Sequence, residues 1–330
     1  MSEYTRTPVQ PFPDPGRCVK AETPAPVIVV GAVNIDISGT PEKALIPGDS
    51  NPGHVTLTPG GVGRNIAENL RRLGRSVSMV TALGEDAYAA VVRENCRELG
   101  IDLSLSLTVP CGRTSTYLCV NEADGDLHAA VSDMTVCDRL TPQVMEPLTG
   151  VMNRAAAVIL DANLPEETIL YLAERLRVPV IADPVSVRKA GRLRKALPYL
   201  TMLKPNVPEL ELLTGMPAGT DAELREAAAA LRRTGVRQVY VSLGSRGVYA
   251  DNGDERLLLP CYPTRVINTN GCGDAFLAAA ADGYLSGLDL NGCACRGLAA
   301  AAFCAGDPHA VRPGLSREML EKIVKGVSLQ

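Results

Sequence analysis

The residues best suited to chemistry lie in one short run, Asn268-Thr269-Asn270-Gly271-Cys272-Gly273-Asp274, which leads into an alanine-rich helical pattern. A Gly-x-Gly step ahead of a helix leaves successive backbone N–H groups free at the positive end of the helix dipole, which makes a hole for an anion. An Asp at the first helical position can turn its carboxylate into the same cavity. Phosphoryl transfer to an alcohol needs both parts: donors for charge on the transferred phosphate and a carboxylate to take the hydroxyl proton. Gly271, Cys272, Gly273 and Asp274 are therefore the catalytic candidates, with Asn268 and Asn270 beside them. A glycine turn before a helix-terminal Asp also occurs with no function, so the run gains meaning only from what accompanies it.

Four further motifs accompany it. Gly60-Gly61-Val62-Gly63-Arg64-Asn65 permits close approach of a ligand to the backbone and puts Asn65 in the first turn of an amphipathic helix. Asn34 and Asp36 follow an apolar strand directly and can both hydrogen-bond sugar hydroxyls, although Asn-x-Asp is also ordinary turn chemistry. Asn206-Val207-Pro208-Glu209 sets an amide three residues from a carboxylate, which could organise Mg²⁺ water and phosphate or simply form a capping box. Ser242-Leu243-Gly244-Ser245-Arg246-Gly247 is a glycine-rich strand end suited to nucleotide phosphate or ribose. The dinucleotide fingerprint, G-x-x-x-x-G-K-[ST], H-E-x-x-H and G-x-S-x-G are all missing. The three histidines (54, 128 and 309) stand apart and read as surface residues.

The elements that must position these residues alternate strand and helix. Apolar strand runs at 27–31, 77–82, 157–161, 180–183, 201–203 and 239–243 are separated by helical patterns at 64–73, 87–99, 166–176, 209–214 and 222–234. This rhythm predicts an α/β fold, a Rossmann-like doubly wound and mostly parallel sheet covered on both faces. Two stretches with polar alternation interrupt it, and the hairpin signal Ala123-Asp124-Gly125-Asp126 lies in the second. They predict a small antiparallel β lid from residues 38–58 and 103–134, set on a large domain of 26–37, 59–102 and 135–330. Residues 1–25, with five prolines, read as a tail. The exposed strand edges of such a lid offer a surface through which two copies could pair as a homodimer.

Composition narrows the class. With 33 basic and 37 acidic residues and no run of like charge, nothing favours a nucleic-acid partner. No segment has the length of a membrane span, and the N-terminal residues lack an apolar leader core, so a cytoplasmic location is expected. Ten cysteines without a C-x-x-C pair read as reduced thiols, several of them small core residues.

The ordered set G-A-V-N-I-D, G-G-V-G-R-N, D-P-V-S, K-P-N-x-x-E, S-L-G-S-R-G and N-G-C-G-D closely resembles the ribokinase-like, PfkB-type family of sugar and nucleoside kinases, over about residues 26–327. The resemblance implies ATP- and Mg²⁺-dependent phosphorylation of a hydroxymethyl group. It implies that Asp274 is the catalytic base, that Gly271–Gly273 form the anion hole, that Asn206 and Glu209 support Mg²⁺ and phosphate, and that Ser242, Gly244 and Gly247 line the ATP site. Asn268 and Asn270 would flank the nucleotide. GAVNIDISG, Ser50-Asn51-Pro52-Gly53, Val131-Ser132-Asp133-Met134 and Asp183-Pro184-Val185-Ser186 look most like the branch that phosphorylates the 5′-hydroxyl of pseudouridine. On that likeness Asp36, Gly60, Gly61 and Asn65 would hold the ribose, and Asn34, Ser50, Asn51, Thr116, Asp133 and Lys204 form the pool that reads the base. A kinase for another acceptor (adenosine, inosine or guanosine, ribose) and a non-catalytic nucleoside-binding regulator are the rival readings. Two positions depart from the family pattern. Asn268 replaces the usual Asp, which puts a monovalent-cation (K⁺) site in doubt, and Cys272 replaces the usual Ala, so thiol reagents should inhibit.

Overall fold

Val27–Val30 is apolar at every position because the strand is covered on both sides. Val27 and Val29 enter one core with Ile66, Leu70, Leu277 and Leu298. Ile28 and Val30 enter the opposite core with Ile169, Leu172, Leu210 and Leu231. Period-two alternation thus deals successive side chains to opposite faces, and one helical layer closes each core. The computed structural model describes residues 25–326, so residues 1–24 of the sequence-assigned tail lie outside the described residues.

The main sheet has nine strands. From one edge their order is Arg256–Leu259, Val248–Asp251, Gln238–Ser242, Met202–Leu203, Val180–Asp183, Ala157–Asp161, Val27–Val30, Val77–Val80 and Ile101–Asp102. The pairings from Gln238–Ser242 to Ile101–Asp102 are parallel, and the two strands beyond Gln238–Ser242 are antiparallel. The chain order reverses about Val27–Val30. Ligands of such sheets bind at the carboxyl ends of the strands beside that reversal. Asn34, Asp161, Asp183, Lys204 and Ser242 all lie at or just past those ends.

The second sheet has four strands, ordered Gly53–Gly60, Asn34–Pro41, Thr116–Asn121 and Leu127–Asp133. Each hairpin is antiparallel, and the two hairpins are joined by parallel pairing of Asn34–Pro41 with Thr116–Asn121. Its bounds differ from those read in the sequence. The lid strands reach back to Asn34 and on to Gly60, because residues 34 and 60 pair directly. Leu107–Thr108 leaves the 103–134 segment to pair with Ala82–Leu83. Along the lid, Leu57, Ile37, Leu118 and Val131 are cross-strand partners on one face, and Thr58, Asp36, Tyr117 and Ser132 occupy the other. Among the described residues, no helix is long and apolar enough to cross a membrane.

The helix Cys272–Leu285 carries the Asp274 motif and is anchored at its far end by charge. Asp282, fully buried, is gripped by Arg75 (Nε–Oδ1 2.6 Å), Arg296 (Nη1–Oδ2 3.0 Å) and Arg317 (Nη2–Oδ1 2.5 Å). These arginines come from the turn after the Val62–Arg72 helix, from the Leu290–Ala305 helix and from the Arg317–Val324 helix. Removing one partner of such a group strands the others' charge. Because the arginines keep some solvent, Asp282→Asn should destabilise by about 3 kcal/mol, the low end for a broken buried pair. A denaturant midpoint unchanged from wild type would show that the cluster is not holding the helix.

Candidate active site

Asp274 sits where two helices meet. The Val62–Arg72 helix packs on the Cys272–Leu285 helix, and Asn65 Nδ2 donates to Asp274 Oδ2 at 2.9 Å. Both side chains are buried. Burial first, then the Asp183 carboxylate, pushes Asp274 up to about 7, against the Asn65 hydrogen bond and the Lys204 charge. A carboxyl poised there can take a proton from an alcohol near neutral pH.

The glycine turn starts its helix earlier than the sequence pattern placed it. Gly271 is the N-cap at φ 78°, and helical residues begin at Cys272, so Asp274 stands third in the helix rather than first. The Cys272 N–H turns back to the Thr269 carbonyl at 3.3 Å. Those of Gly273 and Asp274, in the first turn, have no intrahelical acceptor. Gly273 and Asp274 N–H are therefore candidate donors for an anion, whereas the Cys272 N–H is taken within the turn. Gly271 must be glycine, since a Cβ there would lie 1.9 Å from the Ala310 carbonyl oxygen. A Cβ on Gly273 would come within 3.1 Å of Lys204 Nζ, so the lysine amine stands directly against the turn.

Lys204 belongs to a compact charged group. Its Nζ lies 3.6 Å from Asp183 Oδ2 in a buried ion pair. Burial works to lower the Lys204 ammonium, but the carboxylates of Asp183, Glu209 and Asp274 outweigh it and leave its pKa raised. Asn206 and Glu209 do form the reciprocal cap: Glu209 N donates to Asn206 Oδ1 and Asn206 N to Glu209 Oε2, each at 2.9 Å. Burial, ahead of these contacts, raises Glu209. Asp183 Oδ2 is buried and makes no hydrogen bond. An orphaned carboxylate oxygen beside a second carboxylate suits Mg²⁺, which keeps most of its waters and takes one or two protein carboxylates. The residues present thus fit the divalent ion that accompanies ATP.

Asn34 and Asp36 meet the other glycine turn. Asn34 Nδ2 donates to Asp36 Oδ1, and Asp36 is raised by burial against that bond and the charge of Arg64. A Cβ at Gly60 would fall 2.1 Å from Asp36 Oδ2, and one at Gly61, whose φ is 102°, 2.9 Å from Asn34 Oδ1. Thr116 and Asp133, a cross-strand pair at the lid root, line a cavity of about 340 Å³ with Tyr88 and Arg113. Ser50 and Asn51 lie elsewhere, in the turn joining the far ends of the first lid hairpin, where Asn51 binds the backbone of Ile46 and Asp49.

On the opposite side, Ser242 bridges in parallel to Asn206, and the turn after it holds Gly244 at φ 60° and Gly247 at φ 100°. Asn268 Nδ2 donates to the Pro308 carbonyl at 2.8 Å and its Oδ1 accepts from Asn270 N at 3.0 Å. The sequence reading named Asp183 only within the Asp183-Pro184-Val185-Ser186 motif and gave neither it nor Asp161 a place in the site; the two are register partners that end adjacent strands. Asp161 accepts from Ala32 N and Asn163 N, and a Cβ at Gly31 would clash with it at 2.3 Å. The signal available was an Asp at the end of two successive buried strands.

Comparison with known proteins agrees with this architecture. The family described as pfkB family carbohydrate kinase matches residues 25–315. A pseudouridine kinase of Escherichia coli (strain K12) is 33% identical over 264 residues, covering 79% of this chain and 84% of the relative. An uncharacterized sugar kinase of the same organism, YeiI, is 33% identical over 295 residues, covering 88% and 81%. The structure of Arabidopsis thaliana ribokinase complexed with ribose and ATP superposes with a TM-score of 0.82 at 27% identity, covering 92% of this chain and 99% of that one. Kinases of this family use ATP with a divalent metal to phosphorylate an alcohol group. The chain belongs to the pfkB family of carbohydrate kinases, phosphotransferases that act on an alcohol group.

Proposed function

We propose that the protein transfers the γ-phosphate of ATP to the 5′-hydroxyl of pseudouridine. The observation that carries the reaction is the buried Asp274 carboxyl held by Asn65 beside unpaired N–H groups and Lys204. The acceptor rests on the likeness to the pseudouridine kinase and on the cavity at the lid root, where Thr116, Arg113 and Asp133 offer polar groups.

Asp274 takes the proton from the 5′-hydroxyl as that oxygen attacks, and Asn65 fixes the carboxylate for it. Lys204, set against Gly273, and the first-turn N–H groups meet the charge on the transferred phosphate. Asp183 and Glu209 with Asn206 would hold Mg²⁺, which would supply charge neutralisation on the phosphates. Ser242, Gly244 and Gly247, with Asn268 and Asn270, border the nucleotide. Asp36 and Asn34, beside Gly60 and Gly61, receive the ribose hydroxyls, and Thr116 and Asp133 read the base. Lys204 therefore leaves the base-reading pool, and Ser50 and Asn51 steady the lid turn. The exposed row Leu57, Leu118 and Val131 supports a homodimer in which a second copy covers the lid's apolar face.

Five measurements test this. ADP release with Mg-ATP should be strong on pseudouridine and weak on uridine, ribose, adenosine and inosine; turnover on another acceptor alone would remove the assignment, and silence on all would favour a binding protein. Asp274→Asn should lower kcat at least a hundredfold while ATP affinity holds. Because the base must be ionised, kcat/KM should fall about tenfold per pH unit below about 7 in wild type. A carboxyl raised in the fold loses stability as pH rises from its unfolded range through that value, so Asp274→Asn should melt no lower than wild type at pH 8. Since the Asn268 amide already occupies the Pro308 carbonyl, exchanging K⁺ for choline should change turnover less than twofold; a tenfold activation by K⁺ would contradict this.

A further inference from the structure

Two thiols lie behind the phosphate-binding turn, one in an apolar cluster and the other packed against that cluster. Cys272 opens the Cys272–Leu285 helix and is only partly buried. Cys304, near the end of the Leu290–Ala305 helix, is 2% exposed and belongs to the apolar cluster against which Cys272 packs. Both sulfurs reach backbone of the same turn. Cys272 Sγ lies 3.9 Å from the Asn268 oxygen, and Cys304 Sγ lies 3.7 Å from that of Asn270 and 3.2 Å from that of Ala310. The neighbouring Cys304 thiol holds Cys272 below the usual thiol range, and the same neighbour, with burial, pushes Cys304 up. One thiol is therefore the accessible nucleophile and the other a buried partner, the arrangement that favours a sulfenic acid resolved by a second cysteine.

We propose that Cys272 and Cys304 are a peroxide-oxidisable pair whose disulfide disables the anion hole. The Cys272 thiolate attacks hydrogen peroxide; an S–O bond forms, the O–O bond breaks and hydroxide leaves. Cys304 sulfur then attacks the sulfenic sulfur; the S–S bond forms, the S–O bond breaks and water leaves with the Cys304 proton. Two electrons pass from the thiols to peroxide, which ends as one hydroxide and one water. Closing the sulfurs from contact to a bond of about 2.04 Å has to be absorbed by the first turn, since Cys304 is fixed inside its helix packing. A misplacement of about 1 Å at reacting groups costs on the order of a hundredfold. The loss of turnover rests on the kinase reading of this turn, whereas the crosslink does not.

The test uses full-length protein treated with hydrogen peroxide, read by peptide mass mapping without reduction, by ATP affinity in calorimetry and by ADP release. The expected result is a linked Cys272–Cys304 peptide, at least fivefold weaker ATP binding and at least tenfold lower turnover, all reversed by dithiothreitol. Cys304→Ala should keep basal turnover within twofold and show neither the linked peptide nor a dithiothreitol-reversible loss, and Cys304→Ser should behave the same way. The proposal is overturned by full ATP affinity in the crosslinked protein, by both thiols staying free, by a link to Cys261, or by an equal reversible loss in Cys304→Ala. If no acceptor is turned over, mapping and ATP affinity still decide it, so failure of the acceptor assignment is read separately.

Discussion

Keeping carboxyl groups buried together is the constraint on which the rest of this structure depends. Asp161, Asp183 and Asp274 crowd the carboxyl ends of the central strands, with Glu209 close by and the Lys204 amine among them. Burying such groups without partners is costly, and the surroundings are built to limit it. Asp161 takes two backbone N–H groups, from Ala32 and Asn163, and Asp183 takes that of Val185 at 2.7 Å. That last bond holds Val185 at φ 67°, a conformation that costs a β-branched residue on the order of 1–3 kcal/mol. Asp183 Oδ2 makes no hydrogen bond and lies against the Lys204 amine, and the raised Asp274 carboxyl takes the Asn65 amide, both at the proposed meeting point of phosphate, metal and alcohol.

The glycines follow from the same crowding. Gly31 and Gly63 leave room for Asp161, Gly60 for Asp36 and Gly273 for Lys204. Each would drive a Cβ into a functional side chain, so glycine here serves close approach more than backbone freedom. Asn65 can reach Asp274 only because the Val62–Arg72 and Cys272–Leu285 helices pack directly, and the three arginines on Asp282 fix the far end of that second helix. A charge cluster remote from the chemistry thereby sets the position of the proposed base.

The lid divides its labour by strand alternation. Asp36, pointing to one face, joins Asn34 and Gly60 at the site, whereas its neighbour Ile37 starts the apolar row through Leu118 and Val131. One sheet thus carries polar side chains on one face and an apolar row on the other. The parallel pairing that joins its two hairpins brings Thr116 beside Ile35, and so places the lid-root cavity close to the switch point of the main sheet.

Local chemistry made much of this legible in the sequence. Apolar strands between helical patterns specify a parallel sheet because both faces must be covered, and Gly-x-Gly-Asp before a helix specifies an anion hole with a carboxylate because helix termini leave N–H groups unpaired. The Asn206–Glu209 cap was legible for the same reason, being four residues long. What the sequence did not carry was juxtaposition. Lys204, read from the sequence as one of the pool for the base, packs against Gly273, and Ser50 and Asn51, of the same pool, lie in the hairpin turn at the lid's far end. Asp161 and Asp183 are separated by 22 residues yet are neighbours in strand register, and Cys272 meets Cys304 only through the packing of two helices. Residue type and spacing fix what a segment can do by itself, whereas burial and the charges of distant neighbours fix which carboxyl is raised and which amine stays charged, and those exist only once the chain has folded.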